Sequence, residues 1–303
     1  MDTAYKSRLK KIGVMLFMNS PLEVTVSKGN NPVYEVMFDD LIQEVFGFSF
    51  VPWLEEELWD ERYESYSIIE DGRMLSNVCI FKSDMIVSGE TVKAIQFGAI
   101  ATRKEMRGKG LSQQIMEHIL SLYPNTLAYL SANPSVIDFY PRFGFRQIQK
   151  YKPEIAVNIN NSPNGAIKYE LDDSEFTFHF NKRGVFSNMV DYLNSQSIQM
   201  FHLLMEYEDD IFYLPELNTL VIAQQDGNRL LLADVIAKKP ITFEQLKEVL
   251  PFEGVEIVEF GFCPDWLGVT PTWVSSNMNE DPFFIKGDWK LPEFYRFPIM
   301  SET

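Results

Sequence analysis

From Tyr34 to Phe46 apolar residues recur every three or four positions (Val36, Met37, Leu41, Ile42, Val45, Phe46), the period of one helix face. Gly47 follows as a natural stop. Val24–Val26 predicts a short strand, Asn30–Pro32 a turn, and Trp53–Trp59 a further helix, acidic on one side. Tyr66–Ile69 and Met74–Phe81 flank Asp71-Gly72, the strongest short signal for a hairpin. Val92–Thr102 predicts a longer strand, Leu111–Leu122 an amphipathic helix and Thr126–Leu130 a strand. Ser135–Tyr140 begins a short helix that stops before Gly144, and Phe145–Gln149 closes the series as a strand. This order implies a mixed sheet and an α/β class of the α+β type.

Beyond residue 156 the same grammar returns. Helices are predicted at Gly184–Leu193 and Ile198–Tyr207, then strands at Ile211–Leu214, Thr219–Gln224 and Arg229–Ile236. Asp226-Gly227 again marks a tight turn, Thr242 with Gln245 forms a capping box for Phe243–Leu250, and Val255–Phe262 is a strand. Turn formers cluster at Asn158–Gly165, so the expected domains are 1–155 and 156–303, related by a degenerate internal duplication.

With 46% hydrophobic and 14% aromatic residues over 303 positions, the chain can bury one or two cores, which excludes wholesale disorder. Residues 1–155 carry 20 acidic and 17 basic side chains; residues 156–303 carry 23 and 10. A net charge of −16 disfavours a grip on nucleic acid phosphates. Two cysteines and three histidines are too few for a disulfide framework or a zinc cage, so no metal is expected. No apolar stretch approaches the roughly 18 residues of a membrane span. The run Ile12–Met18 after Lys6, Arg8, Lys10 and Lys11 lacks a cleavage site and reads as a buried strand, giving a cytoplasmic expectation without membrane partners.

Chemistry concentrates between Val92 and Phe145. The strand ending at Thr102 runs into Arg103-Lys104-Glu105-Met106-Arg107-Gly108-Lys109-Gly110-Leu111-Ser112, four bases against one acid in an acidic protein. A strand, a basic glycine turn and a helix start form a cradle for a phosphate or pyrophosphate, although a solvated turn has the same composition. A Walker loop needs Ser or Thr directly after Gly-Lys, and Gly110 stands there. A dinucleotide fingerprint needs a third glycine where Gln113 stands.

Arg107-Gly108-Lys109-Gly110-Leu111-Ser112 resembles the acyl-CoA pyrophosphate loop of the GNAT superfamily of N-acetyltransferases, with Ser112 where that family prefers Gly or Ala. Asn133 and Phe139-Tyr140-Pro141-Arg142-Phe143-Gly144-Phe145 resemble its second signature. The likeness covers roughly residues 24–150 and implies a GNAT acyl-CoA fold followed by a degenerate GNAT-like half, with acetyl-CoA as co-substrate. It implies that backbone amides of Gly108, Lys109, Gly110, Leu111, Ser112 and Gln113 hold the pyrophosphate, with charge from Arg107 and Lys109. Main chain at Ile100, Ala101 and Thr102 would pair with the pantetheine arm, Asn133 would hydrogen-bond it, and Tyr140 would protonate the leaving thiolate. The acceptor would be an amine on a small molecule or peptide, and the acidic second half hints at a cationic one. The strand Gln96–Thr102 offers no carboxylate as a base. A fold that binds acyl-CoA without turnover is the alternative.

Other residues have plainer readings. His118 belongs to a helix surface or its packing, and His179 and His202 lack a partner at triad spacing. Cys79 reads as core. The aromatic run Phe46–Trp59 is either core or an acceptor-pocket lining, and the aromatics of Pro282–Pro298 imply a docked tail.

Overall fold

The computed structural model describes residues 23–161, 165–171 and 174–302; the run Ile12–Met18 lies outside them. The chain is of mixed α/β class, with its strands in two sheets. It divides into two compact units: one takes the chain up to Lys82 together with Ile95–Thr126, the other Ser83–Ala94 and everything from Leu127 onward.

The first unit opens with β1 (Val24–Ser27) and α1 (Pro32–Phe46). Asn31 caps α1, its Oδ1 accepting from Tyr34 N at 3.2 Å while Glu35 accepts from Asn31 N at 3.1 Å. Gly47, at φ 81°, ends the helix as expected. The next helix, α2 (Val51–Glu55), is shorter than the predicted Trp53–Trp59. Glu57 turns left-handed at φ 54°, and Trp59 swings into the core to donate through Nε1 to Tyr63 O at 2.8 Å. Gly29 sits against that indole at φ 87°; a Cβ there would lie 2.7 Å from Trp59 O. The aromatic run is therefore mostly core: Phe50, Trp53 and Trp59 are buried, whereas Phe46 is exposed beside Phe48.

A meander follows, with β2 (Tyr63–Glu70) antiparallel to β1 and to β3 (Arg73–Val87), and β4 (Glu90–Thr102) beside β3. Asp71 and Gly72 both adopt positive φ, as the Asp-Gly signal predicts. Ser88-Gly89 makes a second such turn that the weaker Ser-Gly pair did not announce. On one face of β2 and β3, Ser65 and Cys79 meet Tyr34 of α1 and its neighbours; on the other, Glu64 and Tyr66 meet α3 (Leu111–Leu122) through Tyr123 and His118.

In the second unit, β5 (Leu127–Ser131) leads through short 3-10 turns to β6 (Arg146–Ile148) and then β7 (Tyr151–Ile159). Next come β8 (Ile167–Lys168), α4 (Ser174–Phe180), β9 (Val190–Tyr192) and α5 (Gln196–Met205). A second meander of β10 (Ile211–Leu214), β11 (Thr219–Asp226) and β12 (Arg229–Ile236) precedes α6 (Phe243–Val249), which carries the predicted capping box. Then β13 (Val255–Phe260) runs parallel to β12, followed by β14 (Thr272–Ser275) and β15 (Phe283–Lys286).

The predicted helix Gly184–Leu193 is not formed. Ser187 Oγ and Asn188 N donate to Asp265, Met189 N donates to Ser187 Oγ, and Val190–Tyr192 pairs as β9 with Met85–Val87 of β3. Local side-chain competition for the backbone and burial of Val190 and Tyr192 override the helical spacing.

Two strands sit where sequence order would not put them. β15 lies between β5 and β6, antiparallel to both; β7 lies between β13 and β14, again antiparallel to both. The strand after β6 thus serves the second sheet, while the slot beside β6 is filled from near the C-terminus. In both places a 3-10 turn with a left-handed glycine at its end, Gly144 or Gly268, joins the flanking strands. Phe283, Ile285, Trp289 and Phe297 bury around Tyr129, so the aromatic tail is docked as its composition predicts. Lys150 fixes that tail further through Glu302 at 2.9 Å and Asp281 at 3.1 Å.

Candidate active site

Strand β4 is buried from Ala94 to Phe97 and then changes character. Ala99 adopts φ 46°, a conformation alanine rarely takes and one a bulge uses to re-aim a strand. Two consecutive β3 side chains hold the distorted segment. Asn77 donates through Nδ2 to Ala99 O at 3.1 Å, and Ser76 donates to Ala101 O at 3.0 Å while pairing with Thr102 Oγ1 at 2.7 Å. Ile100 and Thr102 are half-buried and Ala101 is buried.

Beyond Thr102 the basic turn separates into buried and exposed charge, with Arg107 donating through Nε to Thr102 O at 3.2 Å. Arg103 is buried, donating to Met74 O and pairing with Asp40 and Glu44 of α1, so it is unavailable to a ligand. Lys104–Met106 form a 3-10 turn, and Arg107, Gly108, Lys109 and Gly110 are exposed. Gly108 and Gly110 have φ 76° and 80°, and a Cβ at either would meet no described atom within 4 Å. Gly110 is also the N-cap of α3, whose Leu111, Ile115, Met116 and Ile119 anchor it inward. The N–H groups of residues 108–113 donate to no described residue, while Gly110 O accepts the first helical bond from Gln114 N. Ser112 is half-buried and Gln113 exposed, its side chain turned to Glu117 at 2.8 Å. Unpaired amides at a helix start beside Arg107 and Lys109 make an anion cradle.

In the second unit, the predicted helix Ser135–Tyr140 is instead two 3-10 turns, Pro134–Val136 and Tyr140–Phe143. Pro141 disfavours α geometry at Tyr140 and removes a helical donor. Asn133 is exposed; its Oδ1 accepts from Ser135 N at 2.9 Å and Ser135 Oγ at 2.7 Å, which leaves Nδ2 as the free donor. Tyr140 is buried among Phe139, Phe145 and Phe284, and its hydroxyl pairs with no described residue. Burial pushes that phenol up to about 12, so it is fully protonated at neutral pH.

The remaining candidates are structural. Cys79 is buried, accepts from Asn77 Nδ2, and has a thiol pushed up to about 11 by burial. His118 is exposed against Tyr66, and His202 bonds Glu302 O. Among the described residues no group of three His, Cys, Asp or Glu could hold a metal ion, and no helix is long and apolar enough to cross a membrane. Sequence reasoning missed Ser76 and Asn77. Their signal was two consecutive polar residues inside an otherwise apolar strand, which places one on each face.

Residues 35–148 match the family model described as an acetyltransferase (GNAT) domain. Among solved structures, it resembles a protein of unknown function and probable N-acyltransferase from Enterococcus faecalis V583 (16% identity, 87% of this chain and 72% of that chain, TM-score 0.57). It also resembles GCN5-related N-acetyltransferases from Kribbella flavida (13%, 87% and 71%, TM-score 0.52) and Anabaena variabilis ATCC 29413 (12%, 87% and 72%, TM-score 0.53). At these identities the likeness is one of fold, and the two-sheet arrangement fits a tandem GNAT-like duplication. No curated protein matches the sequence.

Proposed function

We propose that the chain transfers an acetyl group from acetyl-CoA to a primary amine on a small molecule or peptide, and that residues 1–155 form the catalytic half. The observation that carries this reading is the row of unpartnered amides at residues 108–113, unobstructed by described atoms at both glycines and flanked by Arg107 and Lys109. Such a row suits a pyrophosphate.

Acetyl-CoA supplies an acyl group activated as a thioester. Main chain at Ile100–Thr102 pairs with the pantetheine arm, a backbone N–H there polarises the carbonyl oxygen, and Asn133 donates through Nδ2 to an amide of the arm. The amine nitrogen bonds to the acyl carbon and loses a proton to water, the carbon–sulfur bond breaks, and Tyr140 gives its proton to the thiolate. Burial keeps the Tyr140 phenol protonated at neutral pH, so it holds the proton that the leaving thiolate needs. The acidic second half suits a cationic acceptor, and the compartment fitting such a donor is the cytoplasm.

Calorimetric titration with acetyl-CoA tests the binding half of this reading, and thiol release across an amine panel tests turnover. Absence of binding at millimolar acetyl-CoA sinks the whole reading. Binding without thiol release favours an acyl-CoA sensor, which the same loop also supports.

A further inference from the structure

We infer that Asn77 is a positioning residue for the acyl arm: it holds Ala99 in its left-handed conformation and so aims the Ile100 backbone at the ligand. This rests on the acyl-CoA reading above and goes beyond it, because Asn77 touches neither the pyrophosphate loop nor Tyr140.

Ala99 is strained. A non-glycine residue at positive φ costs about 1–2 kcal/mol and persists only where its surroundings over-determine it. Here the surroundings do so through a chain of buried polar groups. Asn77 Nδ2 donates to Ala99 O at 3.1 Å, and Asn77 Oδ1 accepts from Ser65 Oγ, which in turn pairs with Tyr34 OH at 2.8 Å. Asn77 and Ser65 are fully buried, and Tyr34 is nearly so. The amide is therefore oriented from behind: its oxygen is committed to Ser65, so its nitrogen must point to the strand. Ser76, on the opposite face, holds Ala101 O in the same way.

Strand geometry supplies the consequence. Successive residues direct their backbone groups to opposite edges. With Ala99 and Ala101 carbonyls both drawn toward β3, the backbone N–H and C=O of Ile100 point to the other edge. β5 lies along that edge, but its 5 residues cannot cover the 13 of β4, and an extended amide-bearing arm would add as a strand beyond it. Asn77 thus governs the arm, whereas residues 108–113 govern the diphosphate.

Titrations of wild type, Asn77→Leu and Ser76→Ala with two probes separate these roles: acetyl-CoA, and adenosine 3′-phosphate 5′-diphosphate, which lacks the arm. Asn77→Leu is expected to weaken acetyl-CoA at least tenfold and the nucleotide less than twofold; Ser76→Ala should give the same split, about threefold. Unchanged acetyl-CoA affinity in both variants overturns the inference, as does an equal loss for both probes, the mark of general damage. If Asn77→Leu does not fold, the Ser76→Ala split decides alone. Failure of the wild type to bind either probe refutes the acyl-CoA reading itself, a result distinct from a missing split.

Discussion

Arg103 donates through Nε to the carbonyl oxygen of Met74 at 2.7 Å, which turns one base of the basic turn into the fold instead of toward a ligand. Its guanidinium, 2% exposed, ends on Asp40 and Glu44 of α1 and ties that helix to the strand pair beneath it. Arg103→Gln is therefore expected to cost about 2 kcal/mol of stability, less than a fully buried pair because Asp40 and Glu44 keep contact with water. Arg107→Gln should leave stability within about 0.5 kcal/mol and weaken acetyl-CoA binding. Urea denaturation with calorimetry separates the two, and an unaltered midpoint for Arg103→Gln would refute its structural role.

At Gly110 the protein itself leaves room for a side chain, so substitution reports on the ligand. Its φ of 80° costs a replacement about 1 kcal/mol, least for Asn, and a Cβ added there would meet no described atom within 4 Å. Gly110→Asn should fold and bind acetyl-CoA weakly, whereas Gly110→Glu should fold and not bind, since its carboxylate meets the diphosphate. Equal affinity of Gly110→Glu and wild type, read by calorimetry, would remove the cradle.

Periodicity announced most of the positioning framework. Leu111–Leu122 falls on the predicted helix residue for residue, because one apolar stripe packs on a sheet and Gly110 punctuates its start. The site was legible only where chemistry had a compact motif. The Gly108–Gly110 turn is local, but the role of Arg103 depends on Asp40 and Glu44, roughly sixty residues away. Asn77 shows its polarity within an apolar run, but nothing in its neighbourhood reveals that Ala99 is left-handed. The exchange of β7 and β15 escaped too, because a strand's pattern reports its burial and not its partner.

Tyr140 presents a hydroxyl with no protein partner among the described residues, surrounded by rings. Tyr140→Phe keeps those rings and removes only the proton, so folding and acetyl-CoA affinity should stay within about twofold. Turnover should fall at least about 100-fold, the lower range of general-acid contributions. The wild-type rate should also fall as pH approaches about 12, where the buried phenol ionises. Equal steady-state rates for variant and wild type would show that another group protonates the thiolate.

The placement of β15 beside β5 and β6 predicts that the two halves cannot be parted. Phe283, Phe284 and Ile285 are all essentially buried, and removing them exposes apolar area worth about 6 kcal/mol, comparable to the whole stability of many domains. A fragment of residues 1–155 should be insoluble or molten by near-UV circular dichroism and protease digestion. The complementary 156–303 lacks most of β7, the strand between β13 and β14. Co-expression should restore a complex resistant to protease. A cooperatively folded 1–155 fragment would contradict this dependence.

Glu64 sets an acid limit on the first unit. Burial opposes its ionisation, but hydrogen bonds from Tyr66, Lys28, Lys82 and Tyr123 outweigh that and hold the carboxyl at about 2. Its folded value lies below the unfolded value of about 4.3, so the ionised form stabilises the fold above that pH. The contribution, up to about 3 kcal/mol, is lost as pH falls from there toward about 2. Glu64→Gln should be less stable than wild type at pH 7, and the gap should close across the same window. Denaturation midpoints for both proteins between pH 7 and 2.5 measure it; a gap that does not change with pH would show that the ion pairs around Glu64 add nothing.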